Sequence, residues 1–256
     1  MNRRRHRTRN SPASPAGRDA FTVTELLAVV AVIGILAALI VPTVGHGKAH
    51  ARRAQCVDNL RQMGIAAHLY WNDNDDLTFR YLAGTTNGGR IYWFGWLKPG
   101  SEGEREFDPA YGALEEYLGN RSVGICPSLD YYATLYKLKA RAAISNYGYN
   151  RYLGQQPISI SRLTTPAELV LFADAAQVND FQAPASPGHP LLEEFYYVDA
   201  EDGLAYPNGH FRHDGHAQAA FVDGHIGSET PLPGSIDQRL PAQNVGRLRP
   251  EIVRLQ

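Results

Sequence analysis

The densest set of chemically capable side chains lies near the carboxyl end. Arg212-His213 is followed after nine residues by Asp223-Gly224, with His225 next. His210, His213 and His216 recur every three residues around Asp214. Imidazoles and a carboxylate are the ligand types of zinc and similar ions. On a strand or loop, however, a spacing of three does not bring three rings to one point. The spacing of His213 and Asp223 reads as hairpin architecture. Residues 217–222 form a strand, Asp223-Gly224 a type I′ turn, and 225–227 the return. A seven-residue strand covers roughly 23 Å at about 3.3 Å per residue, so His213 and Asp223 lie at opposite ends and share neither a metal nor a proton. Asp174 closes another expected strand, 169–173. It would meet the Asp223 turn if those strands are neighbours. No G-x-S-x-G, P-loop or H-E-x-x-H is present to supply a nucleophile, a phosphate cradle or a zinc protease helix.

The second chemical feature is Glu25. No other charged residue occurs from Phe21 to Val44. An ionised carboxylate in an apolar segment costs several kcal/mol unless it finds a partner, so it reads as functional. Counted over 21–44, a helix would be roughly 36 Å long, enough for a bilayer core of about 30 Å. Arg3, Arg4, Arg5, Arg7, Arg9 and Arg18 precede it. Arg-rich flanks stay in the cytoplasm, which predicts a single pass with the amino terminus inside and the carboxyl-terminal domain outside. Two alternatives leave Glu25 unexplained. One is an ordinary secretory signal cut near Ala49-His50-Ala51, and the other is a plain unprocessed anchor.

These residues must be positioned by the elements around them. Cys56, Leu60, Met63, Ala67 and Tyr70 are spaced four, three, four, three, which is one helical stripe. The apolar helix therefore continues as an amphipathic one to about Trp71. Asn72-Asp73-Asn74-Asp75-Asp76 ends it. Thr78 and Gly84 stand where an EF-hand needs Gly and Glu, so that motif is excluded. Strands are expected at 91–94, 169–173 and 195–198, short helices at 111–118 and 131–142, and a loop at 183–190. The fold class is α+β, a long amino-terminal membrane-spanning then amphipathic helix packed on a mainly antiparallel sheet. The organisation expected is a basic leader at 1–20, the helix at 21–75 with its span at about 21–44, a domain at 76–240, and a surface tail at 241–256. With 256 residues and formal net charge -1, the chain shows no basic patch for nucleic acid. Two cysteines, Cys56 and Cys126, are too few for a disulfide scaffold but enough for one bridge in an exported domain; a free thiol pair is the alternative.

A basic leader ending in a small residue, Phe21, Glu25 at the fifth position from it, and a long apolar helix together resemble the processing site of type IV pilins and type II secretion pseudopilins. The carboxyl-terminal H-x9-DG pattern, His213 to Asp223-Gly224, is similar to that of a group of bacterial prepilin-like proteins. Cys56-x3-Leu60-Arg61-Gln62-Met63-Gly64, Tyr117-Leu118 before Cys126-Pro127-Ser128, and Asn146-Tyr147-Gly148-Tyr149-Asn150 follow that group in order. The resemblance covers about residues 21–228. It implies that prepilin peptidase cuts between Ala20, where the family usually has Gly, and Phe21, and methylates the new amino terminus at Phe21. It implies that Glu25 pairs with the amino terminus of a neighbouring subunit, in a pseudopilus or related filament drawn from the inner membrane. Its partners are then the peptidase, other pilin-like subunits and the membrane. Family pseudopilins hold calcium in carboxyl-end loops, so the resemblance makes Asp174 and Asp223 the better ion candidates and calcium the only cofactor implied. Two other readings stay open: a membrane-tethered periplasmic binding protein that borrows the pilin signal, and a zinc-dependent hydrolase built on the histidines.

Overall fold

The structure, a computed structural model, describes residues 22–119, 123–200 and 206–255, with the side chains of 39–46 left out. The leader, Ala20 and Phe21 lie outside the described residues. The chain divides into two compact units between Gly47 and Lys48. An α-helix is assigned over Val23–Asp73, and each unit holds part of it.

In the first unit the apolar side chains stand in the open, from Val29 at 46% exposed to Val23 at 74%. The expected membrane-spanning helix is corrected here. Among the described residues, no helix is long and apolar enough to cross a membrane. The uncharged stretch with described side chains, 26–38, covers only about 20 Å at about 1.5 Å per residue, short of a hydrocarbon core of about 30 Å. The rest of the expected span, 39–44, lies outside the described side chains.

The second unit is α+β with mainly antiparallel sheets. Its helix buries the expected stripe: Cys56, Leu60, Met63 and Ala67 are at most 1% exposed, while Tyr70 is half-buried and Trp71 completes the buried face. These residues pack into one core with Phe79, Trp93, Tyr147, Tyr149 and Phe172. Phe79 stacks on Tyr149 at 4.3 Å between ring centres. Aromatic pairs of this kind add about 1 kcal/mol beyond their burial.

The central sheet has five strands in the order Tyr197–Val198, Tyr147–Asn150, Val170–Asp174, Ala217–Phe221, Ile226–Glu229. The first pair is parallel and the others antiparallel. Gly148 is required in the second strand. A Cβ there would lie 2.7 Å from the Tyr197 carbonyl carbon, so any side chain would push the neighbouring strand away. A three-stranded sheet orders Tyr136–Lys137, Leu191–Glu194 and Ala176–Asn179. A four-stranded meander covers Leu82–Thr86, Gly89–Tyr92, Gly95–Leu97 and Phe107–Asp108.

Three further expectations are corrected. Residues 131–142 do not form a helix; turns lead into the strand Tyr136–Lys137. The pattern there has period two. Lys137 and Lys139 both reach the buried Glu193, at 2.9 and 2.6 Å, and this tertiary pairing overrides local helix propensity. The carboxyl-terminal residues do not trail along the surface. Val245–Gly246 pairs with Gly209–His210. Leu248, Ile252 and Val253 are buried against Val170, Ala173, Phe211 and Ala219 on the sheet face away from the helix. The Val253 carbonyl accepts from Asn150 Nδ2 at 2.8 Å. Finally, Asp223-Gly224 is not a type I′ turn. Asp223 is not among the described non-glycine residues with positive φ, and Gly224 alone has φ 93°. Gly224 N–H donates to the Phe221 carbonyl and Phe221 N–H to the His225 carbonyl, both at 2.9 Å. That is a three-residue hairpin loop ending on a left-handed glycine. The I′ geometry occurs at Asp214-Gly215, with φ 53° and 78° and reciprocal hydrogen bonds between His213 and His216.

Candidate functional site

The turn at Asp214-Gly215 sends Arg212 and His213 back under the sheet. Both side chains are almost wholly buried, 3% and 2% exposed. They converge on Asp174, whose side chain is fully buried. His213 Nε2 lies 3.2 Å from Asp174 Oδ2, and the same oxygen accepts from Gln218 N–H at 2.7 Å. Arg212 Nη2 donates to the carbonyls of Asn146 and Ala175, each at 2.9 Å. Its Nε stays 3.7 Å from Asp174 Oδ1, beyond hydrogen-bond reach. A buried carboxylate needs such partners, because an unpaired one costs several kcal/mol.

The antiparallel register decides which acid meets which base. Ala219 faces Ala173 and Ala220 faces Phe172. Asp174 therefore sits at the His213 end of the hairpin, and Asp223 at the other. The two acids are not brought together, so the reading of an ion held between them is corrected. Asp223 instead accepts from the N–H of His225 at 3.1 Å and lies 2.6 Å from its Nδ1, a local clasp on the surface. The three histidines also part company. His210 and His213 are buried, whereas His216 Nδ1 contacts the Asp214 carbonyl at 3.0 Å.

A disulfide forms the floor of the cluster. Cys56, from the helix, joins Cys126 with their Cα atoms 5.1 Å apart. His213 Nε2 is 3.7 Å from Cys126 Sγ. Asn146 secures the segment around Cys126: its Oδ1 accepts the Cys126 N–H at 3.0 Å, and its Nδ2 donates to Tyr131 Oη. Among the described residues, the one group of three with metal-ligand types close together is Cys56, Cys126 and His213, and its two sulfurs are bonded to each other. In this oxidised form the site offers no thiolate for metal or nucleophilic work.

Two cavities meet at Arg212. One of about 150 Å³ is lined by His50, Arg52, Arg53, Ser128, His213 and Asp214 as well. The other, of about 220 Å³, lies between Tyr136, His210 and Arg212. A second buried polar cluster adjoins the three-stranded sheet. Glu102 pairs with Arg105 at 3.1 Å and with Lys137, and Glu193 holds both Lys137 and Lys139. Burial pushes Glu193 up, but the two lysines outweigh it and keep its carboxyl below the usual range. Glu194, on the opposite face of the strand, accepts, among the described residues, backbone N–H groups only, from Ile144 at 2.7 Å and Lys139 at 3.2 Å. Its burial drives it up to about 7.

Sequence reasoning located His213 and Asp174 but not their pairing, and it missed Glu193, Glu194, Lys137 and Lys139. Their only signal was the alternation Lys137-x-Lys139 facing Glu193-Glu194. Compared with known proteins, the chain matches no family model, no curated protein and no solved structure.

Proposed function

We propose that the chain is a pilin-like subunit, cut between Ala20 and Phe21 and built into a filament through the apolar helix that follows. The observation that carries this reading is the helix of the first unit. Leu26, Leu27, Val30, Ile33 and Ile35 are each more than half exposed. A continuous apolar face of this kind belongs against a partner. Glu25 is held at its start by Thr22 alone among the hydrogen bonds described, Thr22 N–H and Oγ1 donating to Oε2 at 2.9 and 2.7 Å. In a bundle of such helices the carboxylate requires a cation. The α-amino group at Phe21 of a neighbouring subunit supplies one and sets the axial register. The Cys56–Cys126 bridge supports an oxidising compartment for the second unit.

The test is made in the host. Mass spectrometry is expected to find a chain beginning at Phe21 with one added methyl group, and an intact Met1 would overturn the processing step. Glu25→Val is expected to be cut normally but to enter sheared filaments about tenfold less than wild type, as befits one charge-assisted pair. Equal incorporation would remove Glu25 from assembly.

A further inference from the structure

We propose that the side chains of Lys137 and Asn179 become joined by an amide bond, formed by the folded chain itself. This inference is independent of the filament reading. Its site is the three-stranded sheet, where the strand Leu191–Glu194 lies between Tyr136–Lys137 and Ala176–Asn179. Lys137 is paired with Glu193, and Asn179 with Leu191, the next residue on the face of Glu193. Paired residues point the same way and alternate along a strand, so Lys137, Glu193 and Asn179 share one side of the sheet. None of the three is more than 5% exposed.

Together they are an amine, an acid–base group and an acyl group. Glu193 Oε2 lies 2.9 Å from Lys137 Nζ and accepts from Asn179 Nδ2, also at 2.9 Å. One carboxylate oxygen thus touches both the nitrogen that would attack and the nitrogen that would leave. The amide oxygen, Asn179 Oδ1, accepts the N–H groups of Phe181 at 3.1 Å and Gln182 at 3.0 Å. Two backbone donors on one carbonyl oxygen stabilise the negative charge that nucleophilic attack develops there. An Asn that only shapes a turn needs those donors too. It does not need a lysine on the carboxylate that holds its amide.

Charge gives the reaction its direction. Around Glu102 and Glu193 stand three cations, Lys137, Lys139 and Arg105. The cluster therefore carries one positive charge in excess, which burial makes costly. Transfer of a Lys137 proton to Glu193 frees the amine to attack Asn179 Cγ. The Nζ–Cγ bond forms and the Cγ–Nδ2 bond breaks. Both protons that Nζ gives up pass through Glu193 to Nδ2, which leaves as ammonium. No oxidant or cofactor is needed. The excess charge departs with the ammonium. Lys139, 2.6 Å from Glu193 Oε1, and Arg105 remain to balance the two carboxylates.

The experiment is mass spectrometry of the purified full-length protein after reduction of its disulfide, followed by tryptic digestion. The intact chain is expected to be lighter by one ammonia than its sequence requires. Trypsin should fail to cut after Lys137, and the digest should contain a branched peptide joining Lys137 to Asn179. Lys139→Arg keeps the charge on Oε1 and should bridge as wild type does, whereas Lys137→Arg should have full mass. Glu193→Gln should form the bridge about a hundredfold more slowly, the worth of a positioned acid–base group. Full mass in the wild-type chain would overturn the proposal however the variants fold. An ammonia loss confined to the Asn179 peptide, as a cyclic imide, or a branch from Lys139 would do the same.

Discussion

His213 Nε2 and Asp174 Oδ2 stand 3.2 Å apart at the buried end of the central hairpin. The contact links the strand Val170–Asp174 to the turn preceding Ala217–Phe221, and the disulfide lies directly beneath it. In H-x9-DG the histidine thus anchors the hairpin at its base, while the Asp-Gly closes its far tip.

Breaking this pair should be costly. Asp174→Ala leaves Arg212 buried without its nearest carboxylate, and removal of one partner from a buried pair costs about 3–5 kcal/mol. Urea unfolding of Asp174→Ala, His213→Ala and the double variant measures how strongly the two depend on each other. A coupling of about 1–3 kcal/mol is expected. Strictly additive losses would mean that the two side chains are only neighbours.

The disulfide should matter through the unfolded chain. Its cysteines are 70 residues apart. In the chain-entropy model such a loop is worth about 4 kcal/mol. The double variant Cys56→Ala, Cys126→Ala is expected to unfold at a urea concentration lower by about 2 M, taking a slope of about 2 kcal/mol per M. An unchanged midpoint would show that the helix and the sheet hold together without it.

Stability should fall with pH in the neutral range because of Glu194. Its folded value, about 7, lies above the ordinary 4.5 because burial disfavours the charge. The folded state therefore holds the proton that the unfolded state has released. The contribution is full below about 4.5 and is lost as pH rises to about 7, a loss of about 3 kcal/mol. Glu193 works oppositely: its lowered value makes its share of stability disappear only as pH falls into the acid range. Buried His210, held well below its ordinary value, works against Glu194, because its share of stability grows as pH rises toward 6.5. Between pH 5 and pH 8, Glu194→Gln should therefore gain stability relative to wild type, and an identical pH dependence in the two would assign the slope to another group.

Much of the helix was legible from residue spacing, because Cys56, Leu60, Met63 and Ala67 repeat with its period and their burial follows. The strand Val170–Asp174 was legible too, as a short apolar run with an acid at its end. What the spacing concealed was register. Whether Asp174 meets His213 or Asp223 depends on the antiparallel alignment of Ala219 with Ala173, which neither strand encodes alone. The segment 131–142 failed for a related reason. Its lysines look like solvent-facing helix residues until Glu193 is brought beneath them from 54 residues away. Turn chemistry was misplaced rather than missed: the Asp-Gly pairs at 214 and 223 lie nine residues apart, and of these two only Asp214-Gly215 takes the I′ form.

The fastening of Asn150 by the Val253 carbonyl has a consequence for biogenesis. A strand in the middle of the sheet waits for a chain end about 100 residues later. Loops of that length close slowly, and their sheets assemble late. The half of the sheet made first must therefore persist with its lower face bare until residues 248–253 have been synthesised. A nascent chain in that condition exposes strand edges and invites aggregation. Closing this face of the sheet therefore requires the carboxyl-terminal segment to be in place.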